Sequence, residues 1–480
     1  MNTPQSLCLI NNHFVPADSG NTFPVTDPAT DKPIASVPDC GSAETWRAIE
    51  AAAAALPDWR TRPAPARAKV LRTMGDLMLR DQDRLAAIMT AEQGKPLAEA
   101  RGEIAYAASF LSFSAGEAER VYGQTVPASA SDKRILVLKQ PVGVAAAITP
   151  WNFPSAMITR KLGPALAAGC TIVIKPAEAT PLSAFAIGEI AIEAGVPAGV
   201  VNIITGDAAT IGREIFRHDA VRKVSFTGST EVGKILMDQA ASRIVKLSLE
   251  LGGHAPFIVF DDADLDKAVA GLMANKFRNA GQTCICSNRV FVHERVFAEF
   301  AQRLRAQVAA LKVGPGTRDG VQIGPLIDDA AVEKVASHVA NAKSKGAKVT
   351  VGGDLVKVAD HANRFFAPTL IEDANLEMKC FTEETFGPVV PMMKFSTERE
   401  AIDLANDTPF GLAAYFYTRD ASRLIRVAEA LDYGVVGAND AAPSTAQAPF
   451  GGMKESGLGR EGGHWGVEEY LETKYVSWGV

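Results

Sequence analysis

Between residues 142 and 250 the chain repeats one pattern five times, a short run of apolar and β-branched residues followed by a longer stretch with helical spacing. The runs are 142–148, 171–174, 200–204, 223–227 and 245–249. Strands separated by helix-length connections cannot pair as hairpins, so the pattern predicts a parallel sheet with helices packed on its faces. Nothing else in the sequence narrows the fold as far. It also says where to look for chemistry, because ligands of open α/β sheets bind beyond the carboxyl ends of the strands. The segments that follow the strands include PWNFP at 150–154, KPAE at 175–178, TGST at 227–230 and ELGG at 250–253. The distinctive polar residues of the region therefore fall on one predicted rim.

Each of them has a physical task available. Gly228 and Ser229 open a helix that starts near Thr230, and free N–H groups with a helix dipole suit a pyrophosphate. Lys175 and Glu178 suit an adenosine ribose, the carboxylate accepting from its hydroxyls. Asn152 offers an amide donor for an oxyanion, and Glu250, beside two glycines that let a substrate approach the backbone, suits a general base. Taken singly, these residues are as well explained by a helix cap, a surface ion pair, a turn asparagine and a solvated glutamate. Their convergence on one rim favours the functional reading.

At 480 residues the chain is too long for a single core, and a second α/β series occupies 251–435. Strand 256–260 leads through the acidic cap Asp261-Asp262-Ala263-Asp264 into a helix ending near Asn279. Strands 289–292, 389–395, 412–417 and 434–438 alternate with helices at 294–312, 328–345 and 419–431. In the loop 277–289, FRNAGQTCICSNR, Cys284 follows a Gly-Gln-Thr turn and has small and polar neighbours, the setting of a reactive thiol. A free cysteine is more often a buried packing residue, and the polar rim of the first sheet is what outweighs that reading. The active site is expected in the cleft between the two sheets. Ahead of them, residues 1–40 read as short strands and turns, and 42–122 as helices, the first capped by Ser42 and stopped by Pro57. Residues 131–140 alternate as a strand that either closes a hairpin or adds to a neighbouring subunit's sheet.

Several classes are disfavoured. A net charge of −6 offers no basic face for nucleic acid or an anionic membrane. The seven histidines show neither HExxH nor Cys/His ligand spacing, so no metal is expected. The six cysteines, Cys8, Cys40, Cys170, Cys284, Cys286 and Cys380, are too sparse for a disulfide framework. The first twenty residues lack a basic then apolar leader and no apolar run is of membrane-spanning length, so the expected location is cytoplasmic. The only GxGxxG, Gly457-Leu458-Gly459-Arg460-Glu461-Gly462, follows no strand-into-helix pattern. Too little chain remains after it for the βαβ unit of a dinucleotide fingerprint, so it reads as a turn.

PWNFP at 150–154, KPAE at 175–178, FTGSTEVG at 226–233, LELGG at 249–253, GQTC at 281–284, EETFGP at 383–388 and PFGGMKESGLGREGG at 449–463, in that order, resemble the NAD(P)-dependent aldehyde dehydrogenase superfamily essentially end to end. The resemblance implies an α/β chain of two parallel-sheet α/β domains, a Rossmann-like cofactor domain and a catalytic domain, with a small β oligomerisation arm. It assigns 1–122 and 142–250 to NAD(P) binding and 251–435 to catalysis, with 436–463 as substrate-entrance loop and Gly-rich turn. Segments 123–141 and 464–480 would assemble a homodimer or homotetramer, with 135–139 and 469–478 at the interface. Cys284 would attack an aldehyde, Asn152 and the Cys284 N–H would hold the oxyanion, and Glu250 would activate the water that releases the acid. Lys175 and Glu178 would bind the adenosine ribose, Trp151 and Ser229 the pyrophosphate region, and Glu384 and Phe386 the nicotinamide end. NAD is the expected cofactor, because Glu178 accepts from a ribose 2′-hydroxyl and repels a 2′-phosphate, while Lys175 leaves room for some NADP.

Within the superfamily, ITRK at 158–161, KFRNAGQTCICSNR at 276–289 and EEYLETKYV at 468–476 look most like succinate-semialdehyde dehydrogenases. In that group the counterparts of Arg160 and Arg278, with Ser444, bind the substrate's distal carboxylate, which an arginine fork suits. The plain alternative is a structural ion pair at a helix end. His254 and the 439–448 loop depart from the group's pattern, which keeps glutarate and 2-oxoglutarate semialdehyde, or a broad range of aldehydes, open as substrates. Cys286 is either an inert thiol or the partner of Cys284 in a strained, reversible disulfide. Acyl transfer to coenzyme A is disfavoured because that branch generally lacks the base that Glu250 matches. A cysteine hydrolase is disfavoured because neither His254 nor His293 has a recognisable setting for one. A non-catalytic role leaves Cys284, Glu250 and Asn152 without a purpose.

Overall fold

The computed structural model describes residues 5–480. Its larger sheet has eight strands in the order His13–Val15, Cys8–Ile10, Val201–Ile203, Thr171–Lys175, Val144–Ile148, Val221–Thr227, Lys246–Glu250, Gly457–Leu458. The five central strands are the expected ones and run parallel. The outer strands attach antiparallel. Chain order proceeds outward from Val144–Ile148 to one side and then returns beside it with Val221–Thr227, so the strand order reverses between these two. That switch point is where an α/β sheet opens a crevice, and both PWNFP and TGST lie directly beyond it. Strand Thr171–Lys175 and helix Ala156–Ala168 are buried along their whole length, which is why neither shows a clean amphipathic period.

The second sheet has seven strands, ordered Lys348–Val351, Thr369–Glu372, Val389–Phe395, Ser287–His293, Ala255–Val259, Ala413–Tyr417, Val435–Ala438. All pairings but the first are parallel. The strands Lys348–Val351 and Thr369–Glu372 went unread in the sequence because both are four residues long and stand next to loop-like segments.

Three expectations change. The first helix runs Ser42–Thr61 straight through Pro57, because Pro57 is exposed while Trp59 beyond it is fully buried, and that burial outweighs one lost backbone bond at the surface. Its N-cap is Gly41 rather than Ser42, and the Glu44 carboxylate accepts from the Gly41 N–H at 2.9 Å. The 436–463 segment, grouped with the second sheet in the sequence, crosses back to the first: Gly457 and Leu458 pair with Glu250 and Leu249. The GxGxxG glycines thus serve close packing, since a Cβ at Gly457 would lie 2.0 Å from the Leu249 carbonyl oxygen.

The strand Lys133–Pro141 finds its partners within the chain, between Gln124–Val126 and Leu471–Gly479 in a three-stranded antiparallel sheet. Among the described residues no helix is long and apolar enough to cross a membrane.

Helices from 64–118 brace the rim through carboxylates. Glu103 accepts from the N–H groups of Ser155 and Ala156 at 3.0 and 3.2 Å, capping the buried helix Ala156–Ala168 that follows PWNFP. Glu92 does the same for Leu182 and Ser183 at the start of Pro181–Glu193. Burial on this scale makes an uncapped helix end costly, so the caps fix where PWNFP sits.

Candidate active site

Cys284 stands between two cavities and forms part of the wall of both. One, of about 360 Å³, is lined by Trp151, Asn152, Gly228, Ser229, Glu384 and Phe386, among others. The other, a slot of about 20 Å³, includes Tyr106, Arg160, Arg278, Ser444 and Phe450 in its walls. Rim residues from the first sheet and the thiol from the second therefore meet across the cleft.

The loop that carries the thiol is held in an unusual backbone form. Asn279, Ala280 and Gly281 have consecutive positive φ of 50°, 54° and 76°. Such angles cost about 1–3 kcal/mol at each non-glycine position and persist only where the surroundings enforce them. Glu99 accepts from the Asn279 N–H at 2.7 Å, Gln93 donates to its side-chain oxygen at 3.0 Å, and its side-chain amide donates to the Asn152 carbonyl at 3.0 Å. Gly281 is required by packing, as a Cβ there would lie 2.2 Å from the Gly387 carbonyl oxygen.

Asn152 is held from the other side. The buried Lys95, paired with Glu103, donates to the Asn152 carbonyl at 2.7 Å. The Asn152 amide donates to the Gln282 carbonyl at 3.1 Å, and its side-chain oxygen has no partner within the protein. One amide hydrogen remains for a ligand, two residues from the thiol's own loop position at Gln282. Burial pushes the Cys284 thiol up to about 12, with the Arg160 charge opposing that shift. It is therefore protonated near neutral pH and needs a base.

Glu250 lies apart from both cavity walls. Its carboxylate is buried and neither oxygen has a hydrogen-bond partner. It lies against Gly451, where a Cβ would come 2.8 Å from Oε1, and burial together with the Glu461 charge holds its pKa well above the usual carboxylate range. Its charge nevertheless reaches Cys284, whose pKa it helps to raise. Beside it, Lys161 donates to Glu461 and to Thr227, and Arg160 Nε lies 3.1 Å from Glu461 Oε2.

The larger cavity is walled by Trp151, Gly228, Ser229, Glu384 and Phe386, the residues expected at the pyrophosphate and nicotinamide ends of a dinucleotide. Lys175 and Glu178, expected at the adenosine ribose, stand outside its wall, where the buried Lys175 is ion-paired with the half-exposed Glu178. Ser229 caps the helix Thr230–Ala241 by accepting from the Val232 N–H at 3.3 Å. The Gly228 N–H, expected to be free for a pyrophosphate, instead donates to the Glu250 carbonyl at 3.0 Å, so Gly228 contributes room rather than a donor. At the far end Glu384 accepts from the Gly253 N–H at 3.2 Å, and burial pushes its pKa up to about 7. Phe386, with φ of 54°, packs edge-on against Trp151 at 5.7 Å.

The slot holds the three residues expected to meet an anion. Arg160 is 2% exposed, its guanidinium lies 3.9 Å from the Phe450 ring centre, and its Nη2 has no hydrogen-bond partner. Arg278 is half-buried and lies 4.6 Å from the Phe153 ring centre. The Ser444 hydroxyl is 2.5 Å from that of Tyr106. Tyr106, Phe450, Lys161 and Glu461 were missed as site residues. Tyr106 sits in a helix where its spacing is that of core residues, and Lys161 meets Glu461 across 300 residues of chain, a distance no local pattern bridges. Cys286 is fully buried with its thiol on the Lys276 carbonyl at 3.6 Å, and His254 is buried against the Phe381 carbonyl at 2.9 Å; neither lines either cavity.

A family model described as aldehyde dehydrogenase family matches residues 14–476. The NADP(+) succinate-semialdehyde dehydrogenase of Escherichia coli (strain K12) is 56% identical, over 98% of this chain and 97% of its own. The glutarate-semialdehyde dehydrogenase of Pseudomonas putida is 57% identical, over 97% and 96%. A solved structure of succinate-semialdehyde dehydrogenase from Burkholderia pseudomallei has a TM-score of 0.98 at 55% identity and covers 100% of each chain.

Proposed function

The chain belongs to the aldehyde dehydrogenase family, and from that premise we propose that it oxidises a semialdehyde acid, succinic or glutaric semialdehyde, to the dicarboxylic acid with a nicotinamide dinucleotide. The observation that carries the reading is the position of Cys284, shared by a cavity of about 360 Å³ walled by Ser229, Glu384 and Phe386 and a slot walled by two arginines. The Cys284 sulfur adds to the aldehyde carbon as its proton passes to a base, and the Asn152 amide and the Cys284 N–H hold the resulting oxyanion. The nicotinamide, when bound, supplies the hydride acceptor that turns the thiohemiacetal into a thioester. Glu250 then takes a proton from water, whose oxygen attacks the thioester and releases the acid and the thiol.

The 20 Å³ slot lies on the thiol's other side from the dinucleotide, which suits a substrate that enters with its carboxylate ahead and its aldehyde at Cys284. Arg278 is the better arginine to test, because removing Arg160 also strips the buried Glu461 of one of its two cationic partners. Alanine at Arg278 is expected to raise KM for succinic semialdehyde by roughly tenfold or more, the scale of one charge-assisted hydrogen bond, and to change KM for an uncharged aldehyde of equal length far less. Initial rates with succinic semialdehyde, glutaric semialdehyde and the uncharged aldehyde decide it. Equal performance of the three with the unaltered protein would sink the semialdehyde reading and leave the family intact.

We infer that NAD is preferred over NADP, because the Glu178 carboxylate repels a 2′-phosphate, although the E. coli relative carries NADP(+) in its name. Glutamine at Glu178 is expected to shift the ratio of kcat/KM toward NADP by about tenfold, the loss of one like-charge contact. A ratio already in favour of NADP in the unaltered protein overturns the inference.

The same reading extends to assembly as a homodimer or homotetramer through 135–139 and 469–478. Leu138, Tyr475 and Trp478 are exposed along the sheet formed by these strands, an arrangement that favours pairing with another copy. Six cysteines without a disulfide framework suit a cytoplasmic location.

A further inference from the structure

The slot beside Cys284 is too small for the anion its arginines suit. At about 20 Å³ it has room for about one water, whereas a carboxylate brings two oxygens and a chain. An opening in its wall would make room for the substrate's carboxylate. Arg160 is locked by Glu461 and sandwiched near the rings of Phe450 and Phe110. Phe153 is pinned between the Lys95 ammonium at 4.0 Å and the Arg278 guanidinium at 4.6 Å. Tyr106 and Ser444, both in the wall, join two separate elements through a single bond, from the helix Leu97–Ala118 to the 439–448 loop. Neither residue is fully buried. Tyr106 also rests edge-on against Phe110 at 4.9 Å, a contact that guides the ring without bonding its hydroxyl.

We propose that Tyr106 is a specificity-determining residue, forming with Ser444 a latch whose mutual hydrogen bond is exchanged for bonds to the substrate's distal carboxylate. The inference rests on the semialdehyde reading above. Two hydroxyls that share one hydrogen bond across the slot can both turn and donate to an anion, so opening leaves no buried polar group unpaired. The anion gains two neutral donors besides the arginines, and Arg160 Nη2, which has no partner within the protein, gains an acceptor. An uncharged aldehyde of the same length opens the latch without replacing its bond. The latch thus rejects uncharged substrates as well as favouring charged ones. Tyr106 belongs to the helical brace and Ser444 to the entrance loop, so the width of the slot is set jointly by two parts of the chain.

The test is Tyr106→Phe, which keeps the ring and its contact with Phe110 and removes only the hydroxyl. The readouts are the ratio of kcat/KM for succinic semialdehyde to that for butanal, and the inhibition constant of succinate as a competitor. The ratio is expected to fall by about tenfold and the inhibition constant to rise in parallel, the scale of a lost donor to a charged group. A ratio that stays within about twofold of the unaltered protein's overturns the latch while leaving the semialdehyde reading in place. A parallel loss with both aldehydes, with the inhibition constant unmoved, also overturns it, since that is how a merely structural tyrosine behaves. If the unaltered protein shows no preference for the charged aldehyde, both readings fall together.

Discussion

Replacing Cys284 with serine is expected to lower aldehyde-dependent NADH formation by about four orders of magnitude or more, leaving dinucleotide binding in place. The size follows from the surroundings. Burial already pushes the thiol up to about 12, and a serine hydroxyl, intrinsically far less acidic, would start from a higher value under the same burial. It is also the weaker nucleophile, so acidity and attack fail together. Folding should survive, because serine is close in size and Cys284 only borders the second core instead of filling it. The measurement is a steady-state rate beside a titration of NADH fluorescence quenching. A variant that kept a tenth of the activity would remove Cys284 as nucleophile, and one that lost dinucleotide binding as well would reveal a structural role. Cys286 provides the control: its thiol is fully buried on the Lys276 carbonyl, and burial raises its pKa too, so it cannot stand in for the missing sulfur.

The sequence revealed most where one local rule decides the outcome. The five parallel strands were legible because each is a short apolar run closed by a helix, and the rim followed from where parallel strands end. Pro57 misled because the rule that proline ends a helix is local, whereas the burial of Trp59 two residues later is tertiary. Gly228 misled in a similar way: its sequence position matches an anion cradle, but its N–H belongs to the neighbouring strand end at Glu250. What could not be read were pairs joined only in space, Lys161 with Glu461, Lys95 with the Asn152 carbonyl, and Tyr106 with Ser444. Each is an ordinary residue in its own stretch. The family resemblance supplied Arg160, Arg278 and Ser444 but not the tyrosine bonded to Ser444, because a motif records which residues recur and not what they touch.

Glutamine at Glu250 is expected to leave the first turnover nearly intact and slow the ones that follow, giving a burst of about one NADH per site and then a steady rate lower by roughly 10²–10⁴. Removing the base strands the acyl group on Cys284, since water must then attack the thioester unassisted. The side chain's resting place agrees with a late role: it lies against Gly451, outside both cavity walls, with no hydrogen-bond partner on either oxygen. Its pH behaviour gives a second, independent check. Burial and the Glu461 charge raise the folded pKa well above 4.5, the value expected when unfolded, so between those two values the native protein binds the proton more tightly. Stability from this group is therefore full below the unfolded value and is lost as pH rises through the folded value. Glutamine is neutral throughout and escapes that loss. The variant should be more thermally stable than the unaltered protein above neutral pH, by a margin that shrinks toward pH ~4, while the unaltered protein's turnover climbs with pH as the carboxylate ionises. A chain that carries an unpartnered buried carboxylate at the cost of its own stability gains from it only in the reaction, and a stability margin that did not grow with pH would argue that Glu250 is ionised and satisfied after all.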